Sequence, residues 1–90
     1  MNDRRSNLDI IADMLQAVEN AGGSIKPTHL MYKANLAHKR MKQYLEKLKE
    51  KGMLQESMIN GTKHYTITEI GKITIDEYKH MKKFMDSFGI

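Results

Sequence analysis

The chain has 90 residues, of which 40% are hydrophobic and 29% are charged, and this length is suited to one small domain with a single core. Its apolar runs are too short to predict a membrane span or a signal peptide, and the lack of cysteine excludes a disulfide framework and a thiolate metal site. The formal net charge of +4 at pH 7 directs attention to where along the chain the positive charge lies.

Residues 6–21 are predicted to form the first helix. Ser6 or Asn7 can cap its N-terminus, and Asp9 suits the positive end of the helix dipole in the first turn. A pair of glycines then ends the helix, and a short strand is expected at 24–26. The apolar residues that recur at helical spacing, and are expected to face the core, are Leu8, Ile11, Leu15 and Val18.

The second and third helices are predicted at 27–33 and 36–51, with a tight turn between them. Pro27 is suited to the first turn of a helix, and Asn35 is expected to cap the third helix. Tyr32 is expected to lie in the core. The other residues expected to face inward are Leu30, Met31 and Ala34 in the second helix and Met41, Tyr44, Leu45 and Leu48 in the third.

Residues 53–68 are predicted to form a β-hairpin. Its turn is Asn60-Gly61, because both residues tolerate the positive φ angles that a two-residue hairpin turn requires. The flanking segments, 54–59 and 63–68, contain β-branched and aromatic residues in rough alternation and are predicted to be its strands.

The last helix is predicted at 69–88, with Thr68 as its cap and with Gly71 weakening its first turn slightly. Ile70 and Ile73 are expected to close the core of the domain. The helix is about 30 Å long, so its far end is expected to need a second copy of the chain as a partner. A seam with alternating spacings of four and three residues is predicted to form this dimer interface through Thr74, Tyr78, Met81, Met85 and Phe88.

The order of elements is that of a winged helix-turn-helix followed by an extra C-terminal helix. We therefore predict a mainly α fold with a small β-hairpin, in which residues 1–68 form a DNA-binding domain and residues 69–90 a dimerisation element. Residues 25–68 contain nine Lys or Arg and three Glu, a net charge of +6, whereas residues 1–24 carry −2 and the last 22 residues are neutral. This basic block indicates a polyanionic partner, although on charge alone a solvated lysine-rich surface is an equal alternative.

The stretch KPTHLMYKANLAHKRMKQYLEKLKEKGML, followed by NGTKHYTITEIGK, resembles small archaeal winged-helix DNA-binding proteins, both a dimeric chromatin-associated type and related regulator domains. The resemblance spans about residues 7–80 and implies DNA binding, with dimerisation through the last helix. Two features depart from that family: Ala37 stands where a Ser is frequent, so no phosphate contact is inferred there, and the last helix is shorter than in the chromatin-associated members. The residues that carry the resemblance are 30–36, Tyr44, Leu45, Leu48, Gly52, Leu54, Tyr65, Thr68 and Gly71.

The third helix is predicted to be the recognition helix, with its basic N-terminal half in the major groove. Lys39 and Lys42 are expected to contact phosphates, and Arg40 to lie to one side near the backbone. Gln43 can bond two adenine edge atoms and is the first candidate for base readout, with His38 second. Further DNA contacts are predicted from the second helix and the wing, at Lys33, Lys63 and His64.

No pattern in the chain indicates catalysis or a cofactor. The four histidines include no pair at i, i+4, and no phosphate-binding loop or nucleophile motif occurs, so neither an enzyme nor a metal site is expected. We predict a cytoplasmic, nucleoid-bound homodimer that binds double-stranded DNA as a transcription regulator or an architectural protein, with no membrane or small-molecule partner. The alternatives are a protein-interaction module on a winged-helix scaffold and a protein that binds structured RNA.

Overall fold

Four helices and three strands follow one another in the predicted order within residues 4–89, which are the residues that the computed structural model describes. The predicted positions are confirmed to within a few residues, and the largest difference is a third helix that begins two residues later than expected. In chain order the elements are α1 (Asn7–Asn20), β1 (Ser24–Ile25), α2 (Pro27–Ala34), α3 (His38–Glu50), β2 (Leu54–Ile59), β3 (Thr62–Ile67) and α4 (Glu69–Ser87).

The three strands form one antiparallel sheet in the order β1-β3-β2. The hairpin of β2 and β3 is the wing, and its register pairs Leu54 with Ile67 and Ile59 with Thr62. The predicted turn is confirmed, since Asn60 and Gly61 have φ angles of 52° and 76°. Strand β1 pairs with β3 over a short stretch, and this pairing holds the segment between α1 and α2 against the sheet.

The core lies where α1 is covered by α2, α4 and the sheet. Because it is covered on several sides, the buried arc of α1 is wider than the predicted stripe and includes Ile10 and Met14. Leu8, in the first turn, lies at the edge of this arc and is exposed, so its predicted place in the core is wrong. Leu15 and Val18 are fully buried, as predicted.

The N-terminus of α1 is capped by its own side chains. The Ser6 hydroxyl accepts a hydrogen bond from the Asp9 backbone N–H at 3.1 Å, and the Asp9 carboxylate accepts one from the Ser6 N–H at 3.1 Å. This reciprocal arrangement satisfies two backbone donors at once and is a capping box. The predicted cap is therefore confirmed for Ser6.

The start of α4 lies directly on the wing. Thr68 caps the helix by accepting a hydrogen bond from the Gly71 N–H, and its hydroxyl donates to the Gly52 carbonyl at 2.6 Å. A Cβ atom on Gly71 would lie 2.4 Å from the Met53 carbonyl oxygen and 2.7 Å from Cγ1 of Ile67. The glycine that weakens the isolated helix therefore allows the close approach of helix and sheet.

The two isoleucines in the first turns of α4 do not close the core. Ile70 and Ile73 are 52% and 57% exposed, and Ile75 is the buried residue at this position. Successive helical residues are about 100° apart, so Ile75 lies near Gly71 on the side turned towards the domain, whereas Ile70 and Ile73 lie about 100° or more away from both. The core assignment made for Ile70 and Ile73 is wrong for this reason. No helix among residues 4–89 combines the length and the apolarity that a membrane span needs.

Candidate nucleic-acid interface

The turn between α2 and α3 closes tightly on a left-handed residue. Asn35 has a φ angle of 54° and ends α2, and Asn adopts this conformation more readily than most residues. Its N–H donates to the Tyr32 carbonyl and the next N–H, of Leu36, donates to the Met31 carbonyl, both at 3.2 Å. The prediction that Asn35 caps α3 is wrong, because the N-cap is Ala37, whose methyl group cannot accept a hydrogen bond.

Arg5 ties the N-terminal segment to this turn. Its guanidinium donates to the carbonyl of Ala34 at 2.8 Å and to the carbonyl of Asn35 at 3.1 Å, and it forms an ion pair with Asp13 at 2.9 Å. These carbonyls lie at the end of α2, where no helical N–H remains to satisfy them. The sequence interpretation missed this role, since a basic residue ahead of a helix cap carries no signal for a turn 30 residues later.

Helix α3 separates a buried side from an exposed basic side. Met41, Tyr44, Leu45 and Leu48 are all buried, as predicted. Lys39 and Gln43 lie on the opposite side and are exposed, one turn apart, at the N-terminal half of the helix. This placement leaves both side chains accessible to a partner that lies along the helix.

The remaining predicted residues of α3 lie on its two flanks. His38 and Lys42 line a groove of about 310 Å³ between α3, the start of α2 and the wing. Arg40 lies on the other flank, near Lys47, with its guanidinium carbon 6.0 Å from the centre of the Tyr44 ring. The groove is completed by Pro27, Thr28, Met31, Met41, Leu45, Glu46, Lys49, Glu56, Lys63 and Tyr65.

Two carboxylates and two lysines form a charged cluster at the C-terminal end of this groove. The Lys49 ammonium lies 2.7 Å from the Glu56 carboxylate and 3.2 Å from Glu46, and Lys63 lies 3.5 Å from the same oxygen of Glu56. Hydrogen bonding from Lys49 lowers the pKa of Glu56, and Glu56, followed by Glu46, raises the pKa of Lys49. The cluster carries no formal net charge, so the exposed positive charge of α3 is concentrated in its N-terminal half.

The two predicted contacts of the wing point away from each other. Lys63 and His64 are neighbours on β3, and successive side chains of a strand lie on opposite faces of the sheet. Lys63 faces α3, where contact with Tyr65 and then Glu56 raises the pKa of its ammonium group. His64 lies on the other face, and its Nδ1 is 2.9 Å from the Thr62 carbonyl oxygen.

Helix α2 presents a tyrosine that was expected in the core. Tyr32 is 81% exposed, because it lies about 160° around the helix from the buried Leu30 and Ala34 face, so the core assignment is wrong. The predicted contact Lys33 lies on the α1 side of α2, where it lines a second groove with Asp13. The structure therefore brings together His38, Lys42 and Lys63, but not Lys33.

Helix α4 has an apolar strip that its own domain leaves open. Phe84 and Phe88 are 64% and 67% exposed and contact each other with ring centres 4.9 Å apart, and Met81 is also exposed. Ile70 and Ile73 continue this strip towards the start of the helix. Phe84 is absent from the predicted seam, although it has the same alternating spacing as the residues that were chosen.

Part of the predicted seam contacts the domain of its own chain instead. The Tyr78 hydroxyl donates to the Asp9 carboxylate at 2.5 Å, which joins α4 to the start of α1. This bond raises the pKa of Tyr78 to about 12 and lowers the pKa of Asp9. Thr74 and Met85 are half-buried. The exposed strip therefore shares Met81 and Phe88 with the predicted seam, whereas Tyr78 belongs to the contact within the domain.

Within the described part of the chain, no group of three or more His, Asp or Glu residues is placed to hold a metal ion. The candidate interface consists of the basic half of α3, the groove beside it and the wing.

Comparisons with known proteins agree on the architecture. The model of the winged helix-turn-helix family matches residues 4–86. Sso10a-2, a DNA-binding protein from Sulfolobus solfataricus, has 26% sequence identity and a TM-score of 0.80, and the match covers 93% of this chain and 85% of that one. A search of curated proteins finds no match.

Two more distant structures are similar in fold alone. BpsR from Bordetella bronchiseptica, whose DNA binding is regulated by 6-hydroxynicotinic acid, has 16% identity and a TM-score of 0.72, with 87% of this chain and 58% of that chain covered. A MarR family protein from Bacillus stearothermophilus has 17% identity and a TM-score of 0.70, with coverage of 96% and 61%. The present chain thus spans about three fifths of the length of these two proteins.

Proposed function

We propose that this chain, which belongs to the winged helix-turn-helix family, binds double-stranded DNA as a transcription regulator or a nucleoid-associated protein. The observation that carries the proposal is the exposed basic side of α3, where Lys39 and Gln43 stand opposite the buried face of the helix. In helix-turn-helix proteins this helix lies in the major groove and reads bases with its N-terminal residues.

The chemistry of the α3 side chains assigns phosphate contacts to some of them and base contacts to others. Lys39, Arg40 and Lys42 are cations that neutralise phosphates, which supplies affinity without regard to sequence. Gln43 can form two hydrogen bonds with the edge of one adenine, and His38 lies one turn before Lys42 on the groove side. Tyr32 extends the surface, because the helix before the recognition helix crosses the DNA backbone and an exposed tyrosine hydroxyl there can donate to a phosphate. The same proposal assigns backbone contacts to Lys33, Lys63 and His64.

A titration of the purified protein with random duplex DNA at two salt concentrations tests DNA binding. A protein that contacts about six phosphates loses affinity by a factor on the order of 10³ between 50 and 200 mM salt, because released counterions drive association. A complex that does not respond to salt would contradict the proposal. Absence of a complex at 50 mM salt would also contradict it and would favour a protein-interaction module instead.

Substitutions on α3 separate affinity from readout. Lys39→Ala and Lys42→Ala should weaken binding to all duplexes alike, whereas Gln43→Ala should reduce the preference for the best sequence by about 1–3 kcal/mol. Glu19→Gln, on the exposed end of α1, is a control outside the proposed interface. If Gln43→Ala leaves the ratio of specific to random binding unchanged, base readout does not depend on this residue.

We further propose that the chain forms a homodimer through the apolar strip of α4. Met81, Phe84 and Phe88 are exposed together, and a two-fold axis through the strip would cover the same residues on both copies. Phe84→Glu should then yield a folded monomer with weaker DNA binding, since its charge would be buried in the interface. Lys79→Glu, on the opposite side of α4, should leave the oligomeric state unchanged. A wild-type protein that sediments as a monomer at tens of micromolar would exclude this dimer.

A further inference from the structure

The groove between α3 and the wing carries positive charge at one end only. At its N-terminal end His38 and Lys42 face the groove without a carboxylate within ion-pair distance among residues 4–89. At its C-terminal end the two carboxylates and two lysines of the charged cluster cancel one another. Glu56 is the residue that joins the two elements, because it pairs with Lys49 on α3 and with Lys63 on the wing.

We propose that Glu56 is an internal competitor for DNA phosphate, which occupies Lys49 and Lys63 and thereby lowers the affinity of the chain for DNA regardless of sequence. The inference rests on the proposed DNA-binding function and names a residue that tunes it. A carboxylate and a phosphate oxygen bind the same ammonium group, so the cluster and a DNA backbone that enters the groove compete for both lysines.

The position of Glu56 makes the competition effective whether or not the lysines move. Its carboxylate lies on the face of the wing that is turned towards α3, the face that also carries Lys63 and Tyr65. If the lysines stay paired with Glu56, these two cations cannot contact DNA phosphates. If they turn to phosphates, which is feasible because exposed ion pairs are weak, an unpaired carboxylate remains beside the DNA backbone. Either way, the binding energy that depends only on charge is reduced, and the contribution of α3 side chains that read bases becomes relatively larger.

Glu56→Gln tests this directly, because the amide keeps the shape of the side chain and removes its charge. Each additional phosphate contact steepens the dependence of log K on log salt by about 0.9. The ratio of the DNA affinity of Glu56→Gln to that of the wild type measures the gain. With one to two added contacts, this ratio should be about 3- to 12-fold larger at 50 mM salt than at 200 mM. Binding is measured with the full chain and a random duplex.

Glu69→Gln is the matched control. Glu69 is an exposed carboxylate that pairs with one lysine, Lys72, at 3.8 Å, and it lies outside the groove. This variant has the same change in net charge, so any effect of overall charge on DNA binding appears in both proteins.

A second substitution assigns the gain to a particular lysine. Lys63→Gln should reduce affinity more in the Glu56→Gln protein than in the wild type, because only in the variant is Lys63 fully available to DNA. Equal losses in both backgrounds would show that Glu56 does not withhold Lys63, which overturns the inference.

The remaining outcomes are also decisive. If Glu56→Gln binds DNA as Glu69→Gln does, Glu56 has no specific effect and the inference is wrong. If Glu56→Gln binds more weakly, Glu56 instead positions the lysines for DNA, and the inference is again wrong. A wild-type chain that fails to bind any duplex at 50 mM salt contradicts the proposed function itself, and this result is distinguishable from both.

Discussion

Replacing Gly71 by alanine is expected to destabilise the protein, although alanine is the better helix former. Within a helix the exchange gains up to about 1 kcal/mol, and less in a first turn such as this one. The added Cβ would lie 2.4 Å from the Met53 carbonyl oxygen, whereas Cβ atoms essentially never lie closer than 3.0 Å to another heavy atom. The helix or the segment that carries Met53 must therefore move by at least 0.6 Å. The same atom meets Ile67 at 2.7 Å, which blocks escape to that side.

The movement disturbs a bond that holds this junction. The Met53 carbonyl accepts a hydrogen bond from the Thr68 N–H at 3.2 Å, immediately before α4 begins. Overpacking of this kind costs about 1–3 kcal/mol, and two simultaneous contacts with little room to yield place it in the upper half of that range. After subtraction of a propensity gain of up to about 1 kcal/mol, we expect a net loss of at least about 1–2 kcal/mol in the free energy of unfolding.

Urea unfolding followed by circular dichroism measures this loss. The protein concentration is kept equal for all variants, because the stability of a dimer depends on concentration. With a slope of about 1 kcal/mol per M, the midpoint should fall by about 1–2 M at unchanged slope. Asp76→Ala, on the exposed side of α4, reports the gain in helix propensity without a clash and should be neutral or stabilising. A Gly71→Ala protein as stable as the wild type would refute the close-approach argument.

Three further predictions concern stability. Ala37→Ser should raise the free energy of unfolding by about 1 kcal/mol, because the extended N-cap of α3 lacks a side-chain acceptor. Ala37→Gly is the control, and an equal increase in the stability of that variant would contradict the capping argument. Arg5→Ala should lower it by about 1–2 kcal/mol in urea unfolding, since two carbonyls at the end of α2 lose their donor, while Arg4→Ala should have little effect. The Tyr78–Asp9 hydrogen bond should stabilise the fold at pH values between the titrations of Asp9 and Tyr78. Because the pKa of Tyr78 is raised, this stabilisation is lost as the pH rises from 10 towards 12. Because the pKa of Asp9 is lowered, it is also lost as the pH falls below 3.8. Thermal unfolding across this range should show a flatter profile for Tyr78→Phe, and parallel profiles would exclude the effect.

Local patterns in the sequence determined the elements and their order. The capping box at Ser6, the Asn60-Gly61 turn and the Thr68 cap involve residues at most three positions apart, so their hydrogen bonds depend on nearby backbone alone. The buried face of α3 could also be predicted, because one side of that helix is apolar and the other is charged. The same pattern also shows that the net positive charge of α3 lies in its N-terminal half.

The tertiary structure decided which of several apolar faces meets the core. Helix α4 has apolar residues on two opposite sides, and spacing could not show which side meets the domain. Ile75 is buried, whereas Phe84, about 180° around the helix, stays exposed. Tyr32 was misplaced because its aromatic ring suggested burial, although its helical spacing from the buried Leu30 and Ala34 turns it outwards.

Three contacts that the sequence did not predict join residues far apart in the chain. Arg5 reaches a turn 30 residues later, Tyr78 meets a carboxylate 69 residues before it, and Lys49 meets Glu56 across the junction of α3 and the wing. Sequence spacing predicts partners only within one helix or hairpin, where the backbone repeats. Charged side chains from different elements become partners only after packing of the core has fixed the distance between those elements, and for this reason the ion pairs of Glu56 with Lys49 and Lys63 were decided by the fold.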